Sequence, residues 1–179
     1  MKTNAKVDNK YLIVLKGTSC SGKSTFSKKI LDYADFELLS SDDIAENIFG
    51  LKNQPNTREV FEYLNDKLLR DIKEEKNIII DATTLLARYD KFYSKAAAKK
   101  DYIKVCVCFD LDNESLEHNI QKRHKEKWSH MDIEKIRDIV NRQKKSFTLP
   151  DYTYYDKIYY IKCNDDFQSV LGEFYEDIL

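Results

Sequence analysis

At 179 residues the chain has the length of one α/β domain, and a formal net charge of −1 excludes a generally basic nucleic-acid-coating surface, so any phosphate affinity must come from a local cluster. The four cysteines, Cys20, Cys106, Cys108 and Cys163, lack paired C-x-x-C spacing, which argues for buried reduced thiols over zinc or disulfides. Residues 1–10 are polar and no apolar run approaches the roughly 20 residues of a membrane span, so the expectation is one soluble, cytoplasmic domain over 1–179 with no membrane role.

The apolar run Tyr11-Leu12-Ile13-Val14-Leu15 reads as a first strand. It leads into Gly17-Thr18-Ser19-Cys20-Ser21-Gly22-Lys23-Ser24-Thr25, and a helical pattern follows. A G-x-x-x-x-G-K-S stretch between a strand and a helix is a phosphate-binding loop, and all nine of its residues are candidates for nucleotide contact. Gly17 and Gly22 allow backbone conformations closed to other residues, so successive N–H groups converge on phosphates at a helix start. Lys23 supplies a charge between the β- and γ-phosphates of ATP, and the Ser24 hydroxyl is placed to ligate Mg2+.

Phe26, Ile30 and Leu31 recur at helical spacing up to about Tyr33, and Phe36 to Leu39 reads as a second strand running into Ser40-Ser41-Asp42-Asp43. Ile44, Ile48 and Phe49 suggest a brief helix, and Gly50 to Pro55 a loop. Asn56 with Glu59 gives a capping-box-like start for a helix through Val60, Leu64, Leu68 and Ile72. Ile78-Ile79-Ile80-Asp81 is a β-branched run closed by a carboxylate, the pattern of a strand buried on both faces. Helical residues then continue to Lys100, and a fourth strand spans Ile103 to Phe109.

Asp112 or Asn113 caps a helix beginning near Leu116, and the basic segment 121–127 opens a region, 121–132, that reads as a lid. Ser129 or Asp132 starts a helix with Ile133, Ile136, Ile139 and Val140 on one face. Lys157 to Cys163 gives a fifth strand, and Phe167 to Tyr175 a closing helix. This alternation predicts an α/β, three-layer P-loop sandwich: a five-stranded parallel sheet, helices on both faces and a helical lid. Ligands in such folds bind at the carboxyl ends of the strands, where the loop, Asp42 and Asp81 all fall.

Phosphoryl transfer needs a group to orient the attacking oxygen and positive charge on the phosphoryl in flight. Asp42 is the candidate base, although Ser41, Asp42 or Asp43 could equally cap the short helix. Asp81 suits a strand-end metal site with Ser24. Thr83 and Thr84 have two open uses, capping and substrate contact, and Arg88 and the lid lysines Lys122, Lys125 and Lys127 are candidate acceptor cations. Arg123 is the candidate lid arginine, against the reading of 121–127 as a solvated face. The Asp110-x-Asp112 sequence imitates a phosphatase nucleophile motif, but a helix cap explains it better.

With these residues in place the chain resembles the polynucleotide 5′-kinases of nucleic-acid end-healing systems, P-loop enzymes that move the γ-phosphate of ATP to a 5′-hydroxyl. The likeness runs over about residues 11 to 162 and is carried by Lys16 to Phe26, Ser40-Ser41-Asp42, Ile80-Asp81-Ala82-Thr83-Thr84, Lys122-Arg123 and the helix ending before Leu149-Pro150. It implies Asp42 as general base, Lys23 and Arg123 on the transferring phosphate, ATP and Mg2+ as cofactors, and a 5′-hydroxyl RNA or DNA end as substrate. A separate ligase or phosphatase is the partner such a system would use. Two positions depart from the family: Ala45 stands where an acceptor-binding arginine is usual, and Thr84 where an asparagine is common. Two other functions compete, a P-loop kinase of a small-molecule hydroxyl (nucleoside, sugar or antibiotic) and a non-catalytic nucleotide-binding module.

Overall fold

The fold is described from a computed structural model, which covers residues 9–50 and 57–178. Strand β1, Tyr11–Gly17, is buried along its whole length and is followed by helix α1, Lys23–Tyr33. Strand β2, Glu37–Ser40, passes into the short helix α2, Ser41–Asp43, which widens into a π-type turn over Ile44–Ile48. Helix α3, Arg58–Lys73, leads to β3, Ile78–Asp81, and helix α4, Ala87–Ala97, ends in a 3-10 turn at Ala98–Lys100. Strand β4, Ile103–Phe109, helix α5, Asn113–Glu126, helix α6, Ile133–Ser146, strand β5, Lys157–Ile161, and helix α7, Asp166–Ile178, complete the chain.

The five strands form one parallel sheet in the order β2-β3-β1-β4-β5. It is the α/β P-loop fold that the alternation predicts. β2, next in sequence after the loop, is not next in space, because β3 lies between it and β1. The register sets Ser40 opposite Asp81 and Asp81 opposite Leu15, so the ends of β2, β3 and β1 share one rim.

Period-two alternation divides the core. Ile13, Leu15, Val105, Val107 and Phe109 face α1, α5, α6 and α7, while Leu12, Val14, Ile78, Ile80, Cys106 and Cys108 face α3 and α4. A sheet covered on both sides needs apolar residues at every strand position, which is why β3 is unbroken isoleucine up to its carboxylate. Cys20, Cys106 and Cys108 are buried free thiols.

Several boundaries move. The cap of α3 is Thr57, whose hydroxyl accepts from Val60 N–H at 3.4 Å; Asn56 and most of the 50–55 loop lie outside the described residues. Asp112 caps α5 by accepting from Ser115 N–H at 2.7 Å, so the helix opens three residues before Leu116 and the basic run 121–126 is its last turns. Of the two candidate starts for α6, Asp132 is the cap, accepting from Glu134 N–H. β5 stops at Ile161 because the Asp166 carboxylate takes the N–H groups of Lys162 and Cys163.

Candidate active site

The phosphate loop is held by close packing where it leaves the sheet. Gly17 pairs with Phe109 across β1 and β4, and a Cβ at Gly17 would lie 2.8 Å from both Phe109 Cβ and Ser21 Oγ. Cys20 and Gly22 both have left-handed backbone angles, φ 63° and 100°, which reverse the chain into α1. Lys23 is buried, and its Nζ donates to the carbonyls of Gly17 at 3.0 Å and Thr18 at 2.6 Å. Burial pushes its ammonium below the usual lysine range, and the nearby Asp81 carboxylate is the chief opposing influence.

Just before the loop, Lys16 points to the opposite face of the sheet. It is fully buried, donates to Asp90 Oδ2 at 2.8 Å, and Asp90 Oδ1 accepts from the Tyr155 hydroxyl at 2.7 Å. The last residue before Gly17 is thereby tied to α4 and to the segment entering β5.

Asp81 closes β3 beside the start of α1. Burial raises its carboxyl above the ordinary range, against the lowering effects of Lys23 and a hydrogen bond with the Ser24 side chain. The Ser27 hydroxyl reaches Asp81 Oδ2 at 3.5 Å. Ser24 and Asp81 thus form an oxygen-only donor pair suited to a hard cation. The described residues contain no group of three or more His, Cys, Asp or Glu positioned for a metal.

The cap of α2 is Ser40, whose Oγ accepts from Asp43 N–H at 3.2 Å. None of Ser41, Asp42 and Asp43 is therefore spent as the cap. Asp42, about half exposed, faces Arg123, with Oδ2 and Nη2 3.7 Å apart. The Arg123 guanidinium lies 4.2 Å from the Trp128 ring centroid, a cation–π arrangement, and its buried Nε has no partner. The arginine from α5 is thus steered by an aromatic side chain and a carboxylate toward the loop.

A cleft of ≈ 580 Å³ gathers these groups. Ser19, Cys20, Ser21, Gly22, Lys23, Ser24 and Thr25 line it, as do Asp42, Asp81, Thr83 and Arg123. Gly17 and Thr18 sit behind the loop; Thr18 is buried and faces Phe109, Leu111 and Phe147. Two expected acceptor residues lie elsewhere. Thr84 is wholly buried off the cleft, turned inward by the tight bend in which its N–H donates to Ala82 O at 2.8 Å. Arg88, on the first turn of α4, lies over the Tyr89 ring at 5.1 Å and does not reach the cleft. Of the lid lysines only Lys127 lines it; Lys122 and Lys125 do not.

Other cleft residues carry no motif, although Trp128 and Met131 fall within the lid region 121–132. Lys28 comes from α1, Trp128 and Met131 from the α5–α6 connection, and Ile139, Arg142 and Gln143 from α6. Gln143 Oε1 accepts the loop's Ser19 N–H at 2.7 Å. One signal was available: Gln143 continues the buried stripe Ile136–Val140 at helical spacing, so a polar side chain was bound for the core side of α6.

Residues 12–150 match the family model described as an AAA domain. No curated protein matches the chain in sequence. Among solved structures, a sugar kinase from Janibacter sp. superposes with a TM-score of 0.67 at 16 % identity, covering 92 % of this chain and 91 % of that one. The APS kinase of Mycobacterium tuberculosis gives 0.61 at 14 % identity, with 94 % and 96 % covered. A chain of the Pnkp1/Rnl/Hen1 RNA repair complex gives 0.57 at 21 % identity, with 84 % of this chain and 50 % of that one covered. At such identities the likeness is one of fold.

Proposed function

The chain belongs to the AAA domain family, and from this P-loop, kinase-like starting point we propose that it transfers the γ-phosphate of ATP to an alcohol, the acceptor being the 5′-hydroxyl end of RNA or DNA. The observation that carries the reading is the Asp42–Arg123 pair, a carboxylate and a guanidinium 3.7 Å apart in the cleft of the phosphate loop. Asp42 takes the proton of the acceptor hydroxyl as its oxygen bonds to the γ-phosphorus, and the bond to the β–γ bridging oxygen breaks to release ADP. Lys23 and Arg123 stabilise the charge that builds on the phosphoryl oxygens. Ser24 and Asp81 would hold Mg2+, which neutralises the β- and γ-phosphates when bound.

A nucleic-acid end brings phosphates of its own, which call for cations beyond those that serve ATP. Lys28, Lys127 and Arg142 line the cleft, and none of them is ion-paired among the described residues. The similar fold within an RNA repair complex adds support. A second reading, a kinase of a small uncharged alcohol, draws on Ala45 in the cleft wall and on Arg88 lying outside it.

An acceptor panel with γ-labelled ATP separates the two. Label should appear on a 5′-hydroxyl oligonucleotide and on a nucleoside 3′-monophosphate, with the free nucleoside far poorer. Equal use of the free nucleoside or of a sugar hydroxyl would replace the polynucleotide reading with the small-molecule one.

A further inference from the structure

The loop that receives nucleotide phosphate already has one of its N–H groups taken. Gln143 Oε1 accepts from Ser19 N–H at 2.7 Å, a bond between residues 124 positions apart. Both residues line the cleft, so water could satisfy either group and the bond is not forced by burial. A carboxamide oxygen and a phosphate oxygen ask the same thing of a backbone N–H. They cannot both occupy the line of one donor at hydrogen-bond distance.

We propose that Gln143 is an intramolecular competitor for nucleotide phosphate: its carboxamide holds the place on the Ser19 N–H that a phosphate oxygen takes, so that phosphate entry releases α6 from the loop. The inference rests on the reading of residues 17–25 as a nucleotide site, and it adds that occupancy of the loop is coupled to α6. The coupling has a physical path. Ile139 and Arg142 of α6 also line the cleft, and Arg137 of α6 is bound to Glu117 of α5, the helix that carries Arg123. Displacement of Gln143 is therefore passed through that pair to α5, and so to the Arg123 guanidinium stacked on Trp128.

The test reads affinity, not turnover. Titration calorimetry with ADP and with adenosine compares the wild type with Gln143→Leu and Gln143→Glu. Losing the competing acceptor should tighten ADP binding by about two- to tenfold, the ordinary net worth of one hydrogen bond, with adenosine unaffected because it carries no phosphate. The glutamate, a stronger acceptor that also repels phosphate, should weaken ADP binding by roughly tenfold or more. In amide NMR spectra the Ser19 resonance should differ between wild type and Gln143→Leu without ligand, and coincide when both are saturated with ADP. Unchanged or weaker ADP binding by Gln143→Leu would overturn the proposal, since the glutamine would then be a bystander or a phosphate ligand. A wild type that binds no ADP would remove the functional reading and this inference together. Poor oligonucleotide phosphorylation with the expected ADP affinities would count against the acceptor alone.

Discussion

The buried Lys16–Asp90 pair permits a sharp test of how the phosphate loop is anchored. Both side chains are fully buried, the ion pair is 2.8 Å long, and Asp90 receives one further hydrogen bond, from Tyr155 at 2.7 Å. Lys16→Met keeps the aliphatic stem and removes the charge. Asp90 is then a buried carboxylate with a single hydroxyl donor, a state that costs about 3–5 kcal/mol when one partner of such a pair is deleted. For a chain of this size that corresponds to a fall in Tm of roughly 6–20 °C. The double variant Lys16→Met/Asp90→Leu removes both charges and leaves only the Tyr155 hydroxyl without a partner, a residual cost of about 1–3 kcal/mol. Urea denaturation at neutral pH should therefore find the double variant more stable than Lys16→Met alone. A double variant as unstable as the single one, or a single variant within about 1 kcal/mol of wild type, would refute the reasoning that uncompensated charge dominates here.

Lys23→Ala should abolish transfer to any acceptor, with ATP hydrolysis falling in parallel when the γ-label is followed; transfer at near wild-type rate would be inconsistent with the loop's role. Asp42→Ala should lower kcat by roughly 10²- to 10⁴-fold while ATP affinity in a binding titration barely changes. Asp43→Ala should do much less, and the reverse order would identify Asp43 as the base. Arg123→Ala should reduce kcat more than it weakens ATP binding, because the guanidinium acts on charge that develops during transfer; wild-type kinetics would return residues 121–127 to a solvated helix face.

Much of this architecture was legible because the relevant signals are local and periodic. The apolar run before Gly17 and the β-branched isoleucines before Asp81 suit strands covered on both faces, and a parallel sheet sends their carboxyl ends to one rim. What was not legible depends on how elements turn about their own axes. Arg88 follows the Asp81 strand closely in sequence, yet α4 is rotated to bury Asp90, Tyr93 and Ala97, which leaves Arg88 over Tyr89 and away from the cleft. Thr84 is turned inward by a bend that no periodicity reveals. Ser40 could cap α2 only because β2 ends one residue later than its apolar run, and this releases Asp42 for the cleft. The spacing from Ile136 and Val140 puts Gln143 on the inner side of α6, but that its carboxamide meets Ser19 N–H, and that Trp128 meets Arg123, depends on how α6 and the α5–α6 connection dock.

On the proposed mechanism phosphate moves from ATP to a hydroxyl in this cleft under the control of Asp42. Incubation with γ-labelled ATP, Mg2+ and a 5′-hydroxyl oligonucleotide should place the label on the oligonucleotide's 5′ end with the wild type, while Asp42→Ala, still binding ATP, should lower the rate by roughly 10²-fold or more. Label released only as free phosphate, or transferred equally fast by wild type and Asp42→Ala, would contradict it.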